Sequence, residues 1–235
     1  MGKSTPALIL YFASCLVYVF SVAFHWDAAI TLLVKPIITP AIYFYYWQES
    51  SGRVGLLPSL VIWFFFIGDM LILVEFENLL IPLILLNLSA YLIIGYYLTK
   101  DILRLKNPEI SSHTILIICL VIAFLLSLLY AALTLVFTSS DANYELLAVY
   151  GIILVLLAIE TVLFYILKNN QAGFFLAISV LCLVVCDLFY VLYNYYAQLE
   201  VFIIINVFCQ AFSFYFIVKY FLYRNELLNL EEKYE

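Results

Sequence analysis

Four ionisable side chains lie inside stretches of the chain that are otherwise apolar: Lys35, Asp69, Glu160 and Asp187. An ionisable group at membrane depth costs at least about 2.5–3.5 kcal/mol on insertion scales, so such residues are usually functional and paired. Two carboxyl groups and one ammonium group are sufficient for general acid–base chemistry. One carboxyl stays protonated in apolar surroundings and acts as an acid, while the other is held ionised by the lysine and activates water.

The elements that must position these groups are membrane-spanning helices. Of the 235 residues, 67% are hydrophobic and 11% are charged, whereas a soluble domain has about 45–50% apolar and about 25% charged residues. A spanning helix needs about 20 mostly apolar residues. Eight such segments are predicted at residues 6–24, 28–47, 54–74, 79–98, 114–137, 146–167, 172–195 and 201–222. We therefore predict an all-α integral membrane protein with one eight-helix domain over residues 1–224 and a short charged cytoplasmic tail over residues 225–235.

The distribution of charge between the loops predicts the orientation. Apart from Lys35, the basic residues fall near the termini or in the even-numbered loops: Lys3, Arg53, Lys100, Arg104, Lys106, Lys168, Lys219, Arg224 and Lys233. The odd-numbered loops contain no Lys or Arg and carry the acidic residues Asp27, Glu75, Glu77, Asp141, Glu145 and Glu200. Because short basic loops remain in the cytoplasm, both termini are predicted to be cytoplasmic.

Three of the four buried ionisable groups share one layer of the bilayer. With a helix rise of ~1.5 Å per residue, Lys35 and Asp69 lie roughly 10 Å below the outer surface, and Asp187 lies roughly 14 Å below it. Asn87 and Asn206 fall in the same layer. The alternative to a functional site is a Lys–Asp pair that only fixes helix packing. Polar pairs do stabilise the association of membrane helices, often by less than about 1 kcal/mol. Five polar groups are more than packing requires and favour a functional cavity.

A short internal repeat relates the two aspartates. Residues 67–71 (Ile-Gly-Asp-Met-Leu) in the third span correspond to residues 185–189 (Val-Cys-Asp-Leu-Phe) in the seventh, and an Asn follows in the next span of each half. Repeats of this kind predict two parallel four-helix halves, with the two aspartates on either side of a pseudo-twofold axis.

Several short motifs occur in order along the spans: Lys35-Pro36, Gly68-Asp69, Tyr150, Asp187 and Gln210. In these motifs, and in span number over nearly the whole chain, the sequence resembles the YhhN-like family of eight-span membrane proteins, whose characterised members include lysoplasmalogenases. It departs from the family at three positions. Leu88 stands where the family often has a His three residues before a Tyr, Cys186 replaces a Ser, and Glu160 lies in a stretch that is usually apolar.

The resemblance implies hydrolysis of the vinyl ether of a lysolipid, which releases a fatty aldehyde and a glycerophospho-base without a metal or other cofactor. We expect Asp187 to be the acid and Asp69, beside Lys35, to be the ionised partner; the reverse assignment of the two carboxyl groups is the alternative. The expected orienting groups are Asn87, Tyr150, Asn206 and Gln210. The expected partner is a membrane lipid or lysolipid.

Other functions are less compatible with the sequence. No basic patch exists for nucleic acid, and the cysteines lie in apolar segments, where a disulfide framework is not expected. Cys182 and Cys186 could bind a metal but are better explained as core residues. Two alternatives stay open: a small proton-coupled transporter, since such carriers use intramembrane Lys and Asp, and a non-catalytic scaffold or sensor. The expected location is a cell membrane, the inner membrane of a bacterium.

Overall fold

The described residues form eight long α-helices in the computed structural model, which covers residues 4–74, 79–104, 112–138 and 144–234. All eight are long and apolar enough to cross a membrane, so the predicted all-α architecture with eight spans is confirmed. The helices are α1 (Thr5–Ala23), α2 (Ala28–Glu49), α3 (Leu56–Leu73), α4 (Leu80–Leu103), α5 (Ser112–Thr138), α6 (Tyr144–Lys168), α7 (Gln171–Val191) and α8 (Glu200–Tyr234). A π-helical turn at Leu192–Tyr196 follows α7 directly.

Two helices extend well beyond their apolar runs. Helix α4 continues to Leu103, past the predicted span end at residue 98, and α8 continues to Tyr234, past residue 222. A helix satisfies its backbone hydrogen bonds internally, so it can leave the bilayer without unwinding. The segment predicted as a charged tail therefore belongs to the end of α8 as far as Tyr234.

Side-chain N-caps stabilise the first turns of α2 and α7, which both follow short turns. The Asp27 side chain accepts a hydrogen bond of 3.0 Å from the backbone N–H of Ala29 at the start of α2. The Asn170 side chain accepts one of 2.8 Å from Gly173 at the start of α7. Such N-caps satisfy backbone donors that a helix leaves unpaired. The preceding Asn169 adopts φ of 41°, a left-handed conformation that asparagine tolerates.

The two ends of the bundle differ in charge. We call the end with the odd-numbered loops the odd-loop end and the other the even-loop end. Described charged residues of the odd-loop end are Asp27, Glu145 and Glu200, and basic residues of the even-loop end are Arg53, Lys100, Arg104, Lys168, Lys219 and Arg224. This is the predicted alternation. Its remaining members, Lys3, Glu75, Glu77, Lys106 and Asp141, lie outside the described residues, as does the side chain of Lys233.

Six helices form a ring, and the other two pack on its outside. Around the ring, α2 packs on α3, α3 on α4, α4 on α6, α6 on α7, α7 on α8, and α8 on α2. Helix α1 lies against α2 and α8, and α5 lies against α6, α7 and the π-helical turn. Most of these helix pairs have a counterpart four helices further along the chain. The α1–α2 pair corresponds to α5–α6, and the α4–α6 pair, which joins the two halves, corresponds to α8–α2. Two parallel four-helix halves would give this correspondence.

The even-loop half of the bundle is tightly packed. Of the largest side chains that are fully buried, only Tyr91 lies near the middle of its helix, and the rest lie in the even-loop half: Tyr11, Ile42, Tyr46, Val61, Ile94, Leu98, Phe164, Leu176, Ile217, Tyr220 and Phe221. Core side chains that interdigitate in this way leave few voids. Large buried side chains of the described residues therefore fill the even-loop half.

A buried ion pair ties α4 to α8 within this packed half. Arg224 donates two hydrogen bonds to Asp101, from Nε to Oδ2 at 2.6 Å and from a terminal nitrogen to Oδ1 at 2.7 Å. The Tyr220 hydroxyl donates to the same carboxylate at 3.3 Å, and the guanidinium lies 4.5 Å from the centroid of the Tyr97 ring. Bidentate geometry of this kind offsets much of the desolvation cost of two buried charges.

Candidate functional site

A cavity of about 290 Å³ occupies the odd-loop half of the bundle. All eight helices contribute to its lining. The seven residues that the sequence predicts as catalytic or orienting all line it: Lys35, Asp69, Asn87, Tyr150, Asp187, Asn206 and Gln210. The predicted layer of polar groups is therefore the polar lining of one cavity.

One side of the cavity carries the predicted ion pair between α2 and α3. The Lys35 Nζ lies 3.4 Å from the Asp69 Oδ1, and both side chains are at most 8% exposed. The Gln210 amide of α8 donates to the same oxygen at 2.8 Å. The ammonium also lies 5.5 Å from the centroid of the Tyr18 ring, a cation–π distance. Within the described residues, no side chain donates to the Asp69 Oδ2, which leaves that oxygen available to water or a ligand.

Asp187 occupies different surroundings on α7. Its Oδ2 accepts hydrogen bonds from the Tyr150 hydroxyl at 2.6 Å and from the Tyr91 hydroxyl at 2.8 Å. The two hydroxyl oxygens are 3.1 Å apart, and the ring centroids are 5.5 Å apart. Asp187 has no ion-pair partner among the described residues, and none of them donates to its Oδ1. One carboxyl oxygen is therefore held by two tyrosines, and the other remains free to carry a proton.

The two asparagines of the predicted layer also line the cavity. The Asn206 side chain donates to the Cys186 carbonyl at 2.7 Å and lies 3.1 Å from the Cys186 sulfur. It thereby fixes the backbone one residue before Asp187. Asn87 lies beside Gly68, where an added Cβ would be 3.7 Å from the Asn87 Oδ1. Its amide has no hydrogen-bond partner within the described part of the chain, so it is available to a ligand.

Glu160, the fourth predicted intramembrane charge, does not belong to the cavity. Its carboxylate accepts a hydrogen bond of 3.4 Å from Thr99 between α6 and α4, toward the even-loop end. His25 is likewise peripheral, because it pairs with Glu200 at 3.0 Å at the exposed odd-loop end. Within the described ranges, no group of three or more His, Cys, Asp or Glu side chains is placed to hold a metal ion.

Sequence reasoning missed two residues that contact the charged groups. Tyr91 donates to Asp187, and Tyr18 lies beside Lys35. A signal for Tyr91 was present, because it follows Asn87 by four residues and so shares its helix face. Tyr18 had no such signal, since α1 carries no charged or amide residue near it, and 20 tyrosines are spread along the chain.

The arrangement combines two carboxyl groups in contrasting surroundings. Asp69 is paired with a buried ammonium, whereas Asp187 meets only neutral hydroxyl donors. Acid–base hydrolysis of an ether uses two carboxyl groups in different roles. No protein-family model, curated protein or solved structure matches the chain. The functional argument therefore rests on this geometry and on the motifs in the sequence.

Proposed function

We propose that the protein is a membrane lysolipid hydrolase that cleaves the vinyl ether bond of a lysoplasmalogen. The observation that carries the proposal is the pair of carboxyl groups, Asp69 with Lys35 and Asp187 without a basic partner, in the lining of one cavity. The resemblance of the motifs to lysoplasmalogenases supports the choice of substrate. The cavity's location in one half of a membrane bundle also suits a substrate that resides in one leaflet.

The first step of the proposed reaction is proton transfer. Asp187 donates the proton on its Oδ1 to the vinyl carbon that is not bonded to oxygen, and the adjacent carbon becomes an oxocarbenium ion. The remaining carboxylate keeps its hydrogen bonds from Tyr91 and Tyr150 at Oδ2, which stabilise its negative charge. Positioned proton transfer of this kind contributes about 10²–10⁴-fold to a rate.

The second step is the addition of water. The Asp69 carboxylate stabilises the oxocarbenium ion and accepts a proton from water at Oδ2, while Lys35 and Gln210 hold its Oδ1. Water oxygen bonds to the cationic carbon and gives a hemiacetal. As the hemiacetal collapses, its hydroxyl proton passes to the glycerol oxygen and the bond from carbon to that oxygen breaks, which releases a fatty aldehyde and a glycerophospho-base. The net reaction consumes one water, and the proton taken up by Asp69 returns through solvent to Asp187.

The neighbouring amides have positioning roles in this scheme. Gln210 orients Asp69, and Asn206 orients the backbone at Asp187 through the Cys186 carbonyl. The free amide of Asn87 is the group available to donate to a glycerol oxygen of the substrate. None of these groups is expected to exchange protons with the reacting atoms.

The test is aldehyde release from a lysoplasmalogen by the purified protein in detergent. We expect Asp69→Asn and Asp187→Asn each to lower the rate by at least about 100-fold, because each removes a proton acceptor or donor. Glu160→Gln is the matched control, since it makes the same type of change in an intramembrane carboxyl group outside the cavity. Its rate should stay within about threefold of the wild type.

Two results would reject the hydrolase proposal. One is folded wild-type protein that releases no aldehyde from lysoplasmalogens with several headgroups. The other is activity that survives both Asp substitutions. In the first case a proton-coupled transporter becomes the leading candidate, and uptake into proteoliposomes under a proton gradient would test it with the same three variants. Wild-type protein that neither releases aldehyde nor transports a substrate would leave a scaffold role.

A further inference from the structure

Helix α5 contributes a wholly apolar wall to the cavity. Six α5 residues line the cavity, and none of them is polar: Leu125, Leu128, Leu129, Ala132, Leu133 and Val136. Their spacing of three and four residues places them on a single helix face. The charged and amide groups of the lining come instead from α2, α3, α4, α7, α8 and the π-helical turn. The part of the lining that α5 supplies is thus hydrocarbon-like.

Helices α4 and α5 both line the cavity without packing closely on each other, which leaves a gap between them outside the ring. Helices α4 and α6 do meet, through Thr99, whose hydroxyl donates to Glu160 at 3.4 Å, and through the Tyr91 and Tyr150 rings at the cavity. Helix α5 packs on α6 and on the π-helical turn, but along the described residues it makes no extended contact with α4, its predecessor in the chain.

Helix α5 is also the least enclosed of the eight. Only 6% of its most apolar window is buried inside the protein, against 28–33% for the other seven spans. Large apolar side chains such as Leu120, Phe124 and Leu126 are exposed on its outer face and are placed to contact bilayer lipid. On this side α5 stands between the cavity and the bilayer, and its edge toward α4 is open.

We infer that the apolar face of α5 is the seat of one hydrocarbon chain of a membrane lipid, which reaches it from the bilayer through the gap between α4 and α5. Leu125 and Val136 lie about 16 Å apart along the helix axis at ~1.5 Å per residue. This length matches the ~15 Å thickness of one leaflet's hydrocarbon. The cavity volume of about 290 Å³ is at the lower limit of about 300–1,000 Å³ for ligand sites, which suits one chain and not two.

This inference rests on the proposed function only for the identity of the chain as part of the substrate. The seat itself follows from the cavity, the gap and the membrane location. A chain bound along α5 occupies the same cavity that Asp187 and Asp69 line. A single-chain lipid with its headgroup at the odd-loop surface is then held by its chain and presented to the carboxyl groups.

The test uses a photoactivatable probe that the proposed reaction cannot consume. The probe is an ester-linked lysophosphatidylcholine with a diazirine in mid-chain, added to nanodiscs of diacyl phosphatidylcholine that contain the full-length protein. We expect adducts on the facing sides of the gap, at residues such as Ile84, Leu129 and Leu133. Unlabelled lysophosphatidylcholine should compete for these adducts in a saturable way.

Two adjacent alanines provide the matched variants. Ala132 lines the cavity, whereas Ala131 is exposed on the bilayer side of the same helix. Ala132→Phe places an aromatic ring in the proposed seat and should lower labelling of Leu129 and Leu133 by at least about tenfold. Ala131→Phe makes the same change one residue away and should leave the labelling unchanged. Ala132→Met is the second variant in case the larger ring prevents folding, and the thermal transition of each variant is checked first.

The inference is overturned if the adducts fall mainly on bilayer-facing residues such as Leu126, without saturation and with no dependence on Ala132. Saturable labelling of the α5 face in a protein that releases no aldehyde would keep the seat and reject the proposed hydrolysis. Aldehyde release together with unsaturable labelling of bilayer-facing residues would keep the proposed hydrolysis and reject the seat. The two proposals therefore fail in different experiments.

Discussion

Removal of the tyrosine hydroxyls at Asp187 tests the proposed acid most directly. Tyr150→Phe and Tyr91→Phe each delete one hydrogen bond to Oδ2, of 2.6 Å and 2.8 Å, and leave the ring in place. A hydrogen bond to a charged group contributes about 1.5–3 kcal/mol. Because these bonds stabilise the carboxylate that remains after proton transfer, that amount is lost mainly in the transition state. At 1.36 kcal/mol per factor of ten, kcat should fall by about 10–150-fold in either variant.

The double variant should lose more than the product of the two single effects. Both hydroxyls donate to the same oxygen and lie 3.1 Å from each other, so either one can compensate in part for loss of the other. The assay is aldehyde release with kcat and KM determined separately, in H₂O and in D₂O. We expect the change to appear in kcat, with a larger solvent isotope effect as proton transfer becomes more rate-limiting.

The control for this experiment is Tyr190→Phe. Tyr190 also lines the cavity, but in the described part of the chain its hydroxyl does not donate to Asp187. Its kcat should remain near that of the wild type. A kcat within about threefold of wild type in Tyr150→Phe would refute the role assigned to Asp187. So would a fall confined to KM, because a hydroxyl that only lines the substrate site would act in that way.

Two further predictions concern stability and shape. Asp101→Asn leaves Arg224 buried without its counter-charge, which costs about 3–5 kcal/mol of stability. Tm in detergent should therefore fall by roughly 6–20 °C. A decrease in Tm of less than about 3 °C would contradict the importance of this pair. Gly151→Ala places a Cβ 2.8 Å from the Leu129 Cδ1, so this side chain must move at a cost of about 0.5–1.5 kcal/mol, and labelling of α5 should fall. Gly95→Ala is the control, since the nearest atom to its added Cβ would be 3.8 Å away. Unchanged photolabelling of α5 in Gly151→Ala would disprove the expected displacement.

The membrane architecture could be predicted from the sequence because hydropathy and loop charge act locally along the chain. All eight helices begin within two residues of their predicted spans, and the polar groups of the layer estimated from helix rise line one cavity. The Lys35–Asp69 pair could be anticipated because a buried charge needs a partner and few were available at that depth. These inferences required no knowledge of which helices are neighbours.

The rest depended on contacts between distant segments. Asp101 was assigned to a loop because charged residues surround it, yet α4 continues through it and Arg224 of α8 pairs with it. The tyrosines that hold Asp187 come from α4 and α6, and nothing in their spacing along the chain indicates that they converge on one oxygen. The open edge of α5 was equally hidden, because an apolar helix that faces lipid and one that lines a cavity have the same composition.

Helix α5 contributes to the cavity but carries none of the groups assigned to the chemistry. Substitutions on its inner face can therefore alter the length and shape of the space for a hydrocarbon chain without displacing Asp69, Asp187 or Lys35. Related proteins could in this way diverge in the lipids they accept while they retain one reaction. Selection for a new lipid would act on a single segment of about 27 residues, and directed evolution of this protein could be confined to that segment from the outset.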